Sequence, residues 1–328
     1  MLKSIIGDSS EKSDSVGRYR NHQGWWREFV LGEPEGRYLD NKNKKWKTAP
    51  NRINNGKFTG KNFLSDEIAK VVAEAVIKQK ESGKGKIDED RLFNNLLSSQ
   101  PLAFNFFGFF KSNHDIALPF LQTIRPDITK ILDIVFEFAP ESTKDRSAFD
   151  FGFIVCSGKK KGFIGFECKY TDTFSYKNPK TNIYYGDVDD KKNYQNYYPL
   201  FIDNKNRFTE DYFFYVRNPI YNQLFRNELL AIHLNDEKEL HGEKLEPKYD
   251  FIMTGLFCRQ DDQETIKAGL EFKTKITNGL TDFILLTYTD YFERIQKLNL
   301  SWEQRELIMM LWARYCGLKL SNSFLNKQ

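Results

Sequence analysis

Hydrophobic positions along the chain change period several times, and each change predicts an element. Ser65-Asp66-Glu67 supplies an N-cap with two acids behind it, and Ile68, Val71, Val72, Ala75 and Val76 follow at three-four spacing, which predicts a helix over 65–81. A Gly-Lys-Gly break beginning at Gly83 separates it from a second helix at about 88–98. Residues 98–110 are apolar apart from Gln100 and Asn105, so they predict a buried helix starting near Pro101. Ile131 to Phe138 reads as a strand closed by Pro140. Two aromatic-rich runs, 148–156 and 162–169, then flank Ser-Gly-Lys-Lys-Lys-Gly and predict a β-hairpin within 147–174. Beyond it, 171–218 is polar and tyrosine-rich (Tyr176, Tyr184, Tyr185, Tyr194, Tyr197, Tyr198, Tyr212, Tyr215), too long for a bare loop, and is expected to form short helices covering one side of the hairpin. A helix opening at Pro219 and running to about residue 232, a charged loop at 234–248, strands at 249–258 and 282–288, and helices at 290–298 and 302–315 complete the chain.

Two N-terminal stretches lack a clear period. Residues 1–20 are polar and serine-rich and are expected to be loosely ordered, whereas Trp25 and Trp26 in the short amphipathic piece 22–31 are expected to anchor it by packing. From Arg37 to Lys61 eight basic residues stand against the single acid Asp40, interleaved with Tyr38, Trp46 and Phe58. That makeup suits a segment tracking a phosphate backbone, and equally a solvated loop.

Composition narrows the class. With 328 residues, 40% hydrophobic and 15% aromatic, the chain has ample material for a packed core. One elaborated domain is expected, with 1–86 a basic extension and helix packing on a core of 87–328. A formal net charge of +4 permits nucleic acid as a partner without demanding it. The N-terminal apolar run is too short for a signal peptide and no run approaches a membrane span, so a cytoplasmic protein without a membrane partner is expected. Cys156, Cys168, Cys258 and Cys316 form no C-x-x-C pair, and three of them sit in strand-like runs as small buried thiols. His114, His233 and His241 are isolated, which leaves histidine-based hydrolysis little support, and no G-x-x-x-x-G-K-[ST] loop suggests ATP turnover.

The chemistry concentrates in the hairpin. Asp150 in its first run and Glu167 and Lys169 in its second occupy positions a buried strand fills with apolar residues. Alternation sends Glu167 and Lys169 to one face and Phe166 and Cys168 to the other. Carboxylates on adjacent strands can converge on a hard divalent cation, the carbonyl of Cys168 can add an oxygen, and Lys169 can activate water or hold phosphate. A mutually neutralising buried cluster is the plainer alternative, and it costs desolvation.

Asp150, sixteen residues, then Glu167-Cys168-Lys169 closing an aromatic strand resembles the PD-(D/E)XK nuclease superfamily, although Phe149 stands where the name-giving proline would be. The resemblance covers roughly 87–260 and, beyond that, is similar to standalone bacterial restriction-like nucleases. It implies an α/β fold with a restriction-endonuclease-like core: a central mixed sheet of four to five strands flanked by helices, with helical N- and C-terminal elaborations. It implies Asp150 and Glu167 as Mg²⁺ ligands (Mn²⁺ substituting) and Lys169 as the residue assisting phosphodiester hydrolysis. Glu137, with Glu141 behind it, is the candidate for an additional acid, and Gln223 and Arg226 resemble polar residues that some subfamilies place beside the lysine. The expected function is therefore a Mg²⁺-dependent DNA endonuclease of a restriction or defence type, with a homodimer suggested because cutting two strands uses two sites. A non-cleaving nucleic-acid-binding protein on the same fold, and a metal-independent carboxylate-pair sugar hydrolase, are the alternatives. Lys159-Lys160-Lys161 at the hairpin tip is either a phosphate contact or a solvated turn.

Overall fold

The computed structural model describes residues 14–40, 42–140, 147–172, 174, 191–218, 220–241 and 244–325, and the chain divides into two units. Expectations for residues 1–13, Glu141, Tyr176, Tyr184, Tyr185 and Pro219 lie outside the described residues. The first unit gathers its residues from Met1–Ala73, Ile87–Phe109 and Asn299–Gln328, and the second from Glu74–Lys86 and Phe110–Leu298.

In the first unit, residues 14–20 are helical rather than loose, within a helix Asp14–Trp25 that passes into a π-turn at Trp26–Val30. Tyr19, His22, Gln23 and Trp26 recur at helical spacing and are all buried, so the stripe is real but half polar, and hydropathy alone hides it. Trp26 packs with Ile53 and Leu96 as the sequence predicted for an anchor. The basic segment carries a ribbon, β1 (Gly36–Leu39) antiparallel to β2 (Trp46–Ala49). The second helix is shorter than expected, Glu89–Asn94, because Asn95 turns to extended backbone and bridges Arg52. The apolar helix spans Ser99–Phe107. Of its two polar exceptions, Asn105 is structural: it accepts from the N–H of Leu64 (2.9 Å) and donates to the Asn62 carbonyl (3.0 Å) and Tyr315 hydroxyl (3.0 Å).

The second unit is built on a mixed five-stranded sheet of β3 (Lys130–Phe138), β4 (Phe149–Ser157), β5 (Lys160–Cys168), β8 (Phe251–Cys258) and β9 (Phe283–Thr287), side by side in that order. Between β5 and β8 a small pair, β6 (Lys238–His241) and β7 (Lys244–Pro247), occupies the expected charged loop. The first three strands are antiparallel and the last two join in parallel. Ser157 pairs with Lys160, so the hairpin turn is only Gly158-Lys159, tighter than the six-residue loop expected, with Gly158 at φ +59°. Helices Lys191–Asp203, Tyr212–Arg217 and Asn222–Asp236 cover one face. Phe149 and Phe163 of the hairpin pack there with Tyr197, Phe201, Tyr212, Tyr215 and Phe225, so the described part of the tyrosine-rich segment does form the cover predicted for it. A helix at His114–Gln122 was not anticipated.

Glycine and phenylalanine are paired devices in this sheet. Gly152 faces Gly165 across the ladder, and a Cβ on either would lie 2.7 or 2.6 Å from the Phe163 ring. The missing side chains form a floor on which Phe163 lies flat, which lets central strands carry large rings without forcing the layers apart.

Candidate active site

The acid row is made by register. Phe151 pairs with Phe166 as the last pair of the β4–β5 register, so Asp150 and Glu167 follow one step on, at the end of the hairpin. The Phe136–Phe151 and Phe138–Phe149 pairs flank Glu137, which puts it beside Asp150 on the other side. Three acids thus occupy one row across three strands. The charges of Glu167 and Glu137 both act on Asp150 from the neighbouring strands.

Each acid is held differently. Asp150 is half-buried, and its carboxylate accepts the backbone N–H of Cys168 at 2.6 Å. Burial pushes its carboxyl well above the usual range, and the charges of Glu167 and then Glu137 push it further, against the weaker pull of the Cys168 N–H and Lys169. Glu137 has a left-handed backbone, φ +48°, which a non-glycine residue adopts at a cost of order 1 kcal/mol. Its carboxylate accepts from the N–H of Lys86 at 3.4 Å.

Glu167 is 6% exposed and engaged by three side-chain donors. Its Oε1 accepts from Gln223 Nε2 and lies 3.1 Å from Lys169 Nζ, and its Oε2 accepts from Asn227 Nδ2 at 3.0 Å. Gln223 and Asn227 are four apart near the start of the Asn222–Asp236 helix, so they share a face, and the N-terminal end of that helix favours the nearby carboxylate. Gln223 does double duty, its Oε1 accepting from Lys169 Nζ at 2.6 Å. The ammonium also lies 5.0 Å from the centre of the Phe174 ring, and the Lys169 carbonyl accepts the Tyr288 hydroxyl at 2.7 Å. A buried lysine with this many partners is fixed in place, where an exposed one would sample many rotamers.

Of the residues singled out in the sequence, Glu167, Lys169 and Gln223 are therefore joined by hydrogen bonds and an ion pair, while Asp150 is tied to this group through the backbone N–H of Cys168 and, with Glu137, through charge. Arg226 is half-buried on the same helix. Asn227, Phe174 and Tyr288 were missed. Spacing from Gln223 could have found Asn227; no local signal marks Tyr288, which is 119 positions from Lys169. The lysine tip belongs elsewhere. It lies seven residues up β4 from Asp150, roughly 23 Å away at strand rise, and Lys161 is paired with Glu239 at 2.7 Å. A cavity of about 430 Å³ at that far end, lined by Arg125, Asp127, Arg207, Asp250 and Asp282 among others, includes none of the acid row. Cys168 and Cys258 are buried free thiols, Cys258 being pushed up to about 12 by burial.

The donor set suits a hard cation. Two carboxylates lie at the end of the hairpin, and the Asp150 carboxyl is raised by burial first and then by the charge of Glu167 beside it. Among the described residues no group of three or more His, Cys, Asp or Glu side chains is gathered as a metal cluster, and the nearest candidate donors are the Asp150 and Glu167 carboxylates. Mg²⁺ is ordinarily bound in that way, its remaining positions filled by water and substrate phosphate. No described helix is long and apolar enough to cross a membrane. In comparison with known proteins, the model of the PD-(D/E)XK nuclease superfamily matches residues 10–317, nearly the whole chain. No curated protein and no solved structure matches.

Proposed function

The chain belongs to the PD-(D/E)XK nuclease superfamily, and from that premise we propose that it is a Mg²⁺-dependent DNA endonuclease whose active centre is the acid row. The observation that carries the proposal is the convergence of Asp150, Glu167 and Lys169, on two adjacent strands, with Gln223 holding both Glu167 and Lys169. Asp150 and Glu167 would hold the metal, with the Cys168 carbonyl as a further oxygen. A bound Mg²⁺ supplies a water of lowered pKa and neutralises phosphate charge. Gln223 and Asn227 fix the Glu167 carboxylate so that it does not reorganise as charge develops. Lys169 presents a fixed cation to the scissile phosphate and steadies the attacking water. Glu137 adds negative charge beside Asp150 and helps draw the cation in. A restriction or defence role in the cytoplasm, and a homodimer with one centre per strand, complete the reading.

The test is cleavage of plasmid and linear DNA in Mg²⁺ and in Mn²⁺. Glu167→Gln and Lys169→Ala are expected to lower cleavage by at least ~10²-fold while leaving far-UV circular dichroism unchanged. Activity should vanish in EDTA. Equal cutting by both variants would sink the assignment, and DNA binding without cutting under either metal would support the non-cleaving reading instead.

A further inference from the structure

The β1–β2 ribbon presents its apolar side chains to water. Cross-strand pairing puts Gly36, Ala49, Tyr38 and Lys47 on one face and Arg37, Thr48, Leu39 and Trp46 on the other. The first face is packed: Gly36 is buried, a Cβ there would collide with the Ile53 backbone, and the Arg52 guanidinium lies 5.4 Å from the Tyr38 ring centre. The second face is open, with Trp46 at 67% and its partner Leu39 at 41% exposure between exposed Arg37 and Thr48. Trp46 and Leu39 thus form a contiguous apolar pair on an open face flanked by Arg37.

The turn joining the strands is braced by its one acid. The Asp40 N–H donates to the Lys45 carbonyl (2.9 Å), its carbonyl accepts from the Lys44 N–H (2.8 Å), and its carboxylate accepts the Lys42 N–H (3.0 Å) and pairs with Lys47 (2.5 Å). Lys42, Lys44 and Lys45 are left exposed beside these bonds. Residues 36–49 hold five basic residues and one acid, an excess of four, which equals the formal net charge of the entire chain, +4. The surrounding segment to Lys61 adds Arg52, Lys57 and Lys61 without an acid.

We infer that this ribbon is a duplex-DNA contact element, with Trp46 and Leu39 wedging against base pairs and Arg37, Lys42, Lys44 and Lys45 neutralising phosphates. It deepens the proposed function by taking DNA as the substrate, but it does not depend on cleavage. A two-stranded ribbon fits a DNA groove, a ring beside an aliphatic side chain is the kind of wedge that unstacks a base step, and the cations around it match the polyanion.

The experiment measures binding by fluorescence anisotropy, using Glu167→Gln as the non-cutting parent, on duplexes and single strands across a salt series. Lys44→Ala with Lys45→Ala should reduce the slope of log K against log salt by about 1.8, at about 0.9 per phosphate contact. Trp46→Ala should weaken duplex binding roughly 10-fold and abolish the rise in 2-aminopurine emission that the parent induces in a duplex. Because Trp46 is exposed, this variant should keep the parent's melting temperature. Unchanged affinity and slope in these variants, a parent preference for single strands, or lysine-dependent binding to anionic lipid vesicles without duplex binding would each overturn the inference. Ribbon-dependent binding by a wild-type protein that cuts nothing would sustain it while refuting the nuclease reading, and ribbon-independent cutting would do the reverse.

Discussion

At the scale of single residues, the decisive quantity is the charge balance around Asp150. Its carboxyl is raised by burial, by Glu167 and by Glu137, so the folded protein keeps this proton to higher pH than the unfolded chain does. The sign follows from linkage: the contribution to stability is complete below the ordinary aspartate value, about 3.9, and is lost as pH rises through the folded value. Asp150→Asn removes that loss and can still accept the Cys168 N–H. In EDTA it is expected to melt a few degrees above wild type at pH 8, the response of a protein this size to about 1 kcal/mol, with the gain shrinking towards pH 4. Added Mg²⁺ should reverse the order, stabilising wild type and leaving the variant unmoved. Scanning calorimetry in both buffers checks this, and a variant that melts at or below wild type in EDTA at pH 8 would refute it. This charge cluster was legible in the sequence because charges in an apolar run stand out wherever the run folds. Of what holds Lys169, Gln223 was legible; Phe174 and Tyr288 were not, because their contacts with it depend on the tertiary fold.

At the scale of elements, strand positions followed from alternation, but the reason these strands tolerate so many rings did not. Phe163 rests on Gly152 and Gly165, and Phe149 shares that floor, with its ring 5.2 Å from Phe163 centre to centre. Since Phe149 immediately precedes Asp150, the packing of the hairpin and the aim of a candidate ligand are the same problem. A Cβ at Gly165 would lie 2.6 Å from both rings. Gly165→Ala is therefore expected to cost about 1–3 kcal/mol by overpacking and to lower cleavage without changing its metal requirement. Combined with Phe163→Leu, the double variant should lose less stability than the two single changes added, because the smaller side chain vacates the space the methyl needs. Strict additivity in urea unfolding would show that the floor is not what seats the ring. Short elements escaped the sequence for a different reason: the β1–β2 ribbon and the helix at Asp14–Trp25 bury polar or small residues, so their periodicity carries little hydrophobic contrast.

At the scale of the whole molecule, all five tryptophans, Trp25, Trp26, Trp46, Trp302 and Trp312, fall among the residues of the first unit, so tryptophan emission reports that unit without signal from the acid row. The same unit contains a buried histidine. His22 is fully buried, with Nε2 2.9 Å from the Ala313 carbonyl and Nδ1 3.0 Å from the Ser321 hydroxyl, and its ring stacks 5.3 Å from that of Trp25. Burial, with smaller contributions from the Arg18 and Arg314 charges, lowers its pKa to about 4. A depressed folded value means that the neutral ring's contribution is whole above the unfolded value, about 6.5, and is lost as pH falls through about 4. The full drop is on the order of 3 kcal/mol, because each tenfold difference in proton affinity between the folded and unfolded chain is worth about 1.4 kcal/mol. Urea midpoints followed by tryptophan emission should therefore fall steeply between pH 6.5 and 4. His22→Gln, which keeps hydrogen-bonding groups but cannot ionise, should start less stable at pH 7 and lose much less on acidification. Parallel decline of the two proteins would assign the acid sensitivity of this unit to its carboxylates and remove His22 from the account.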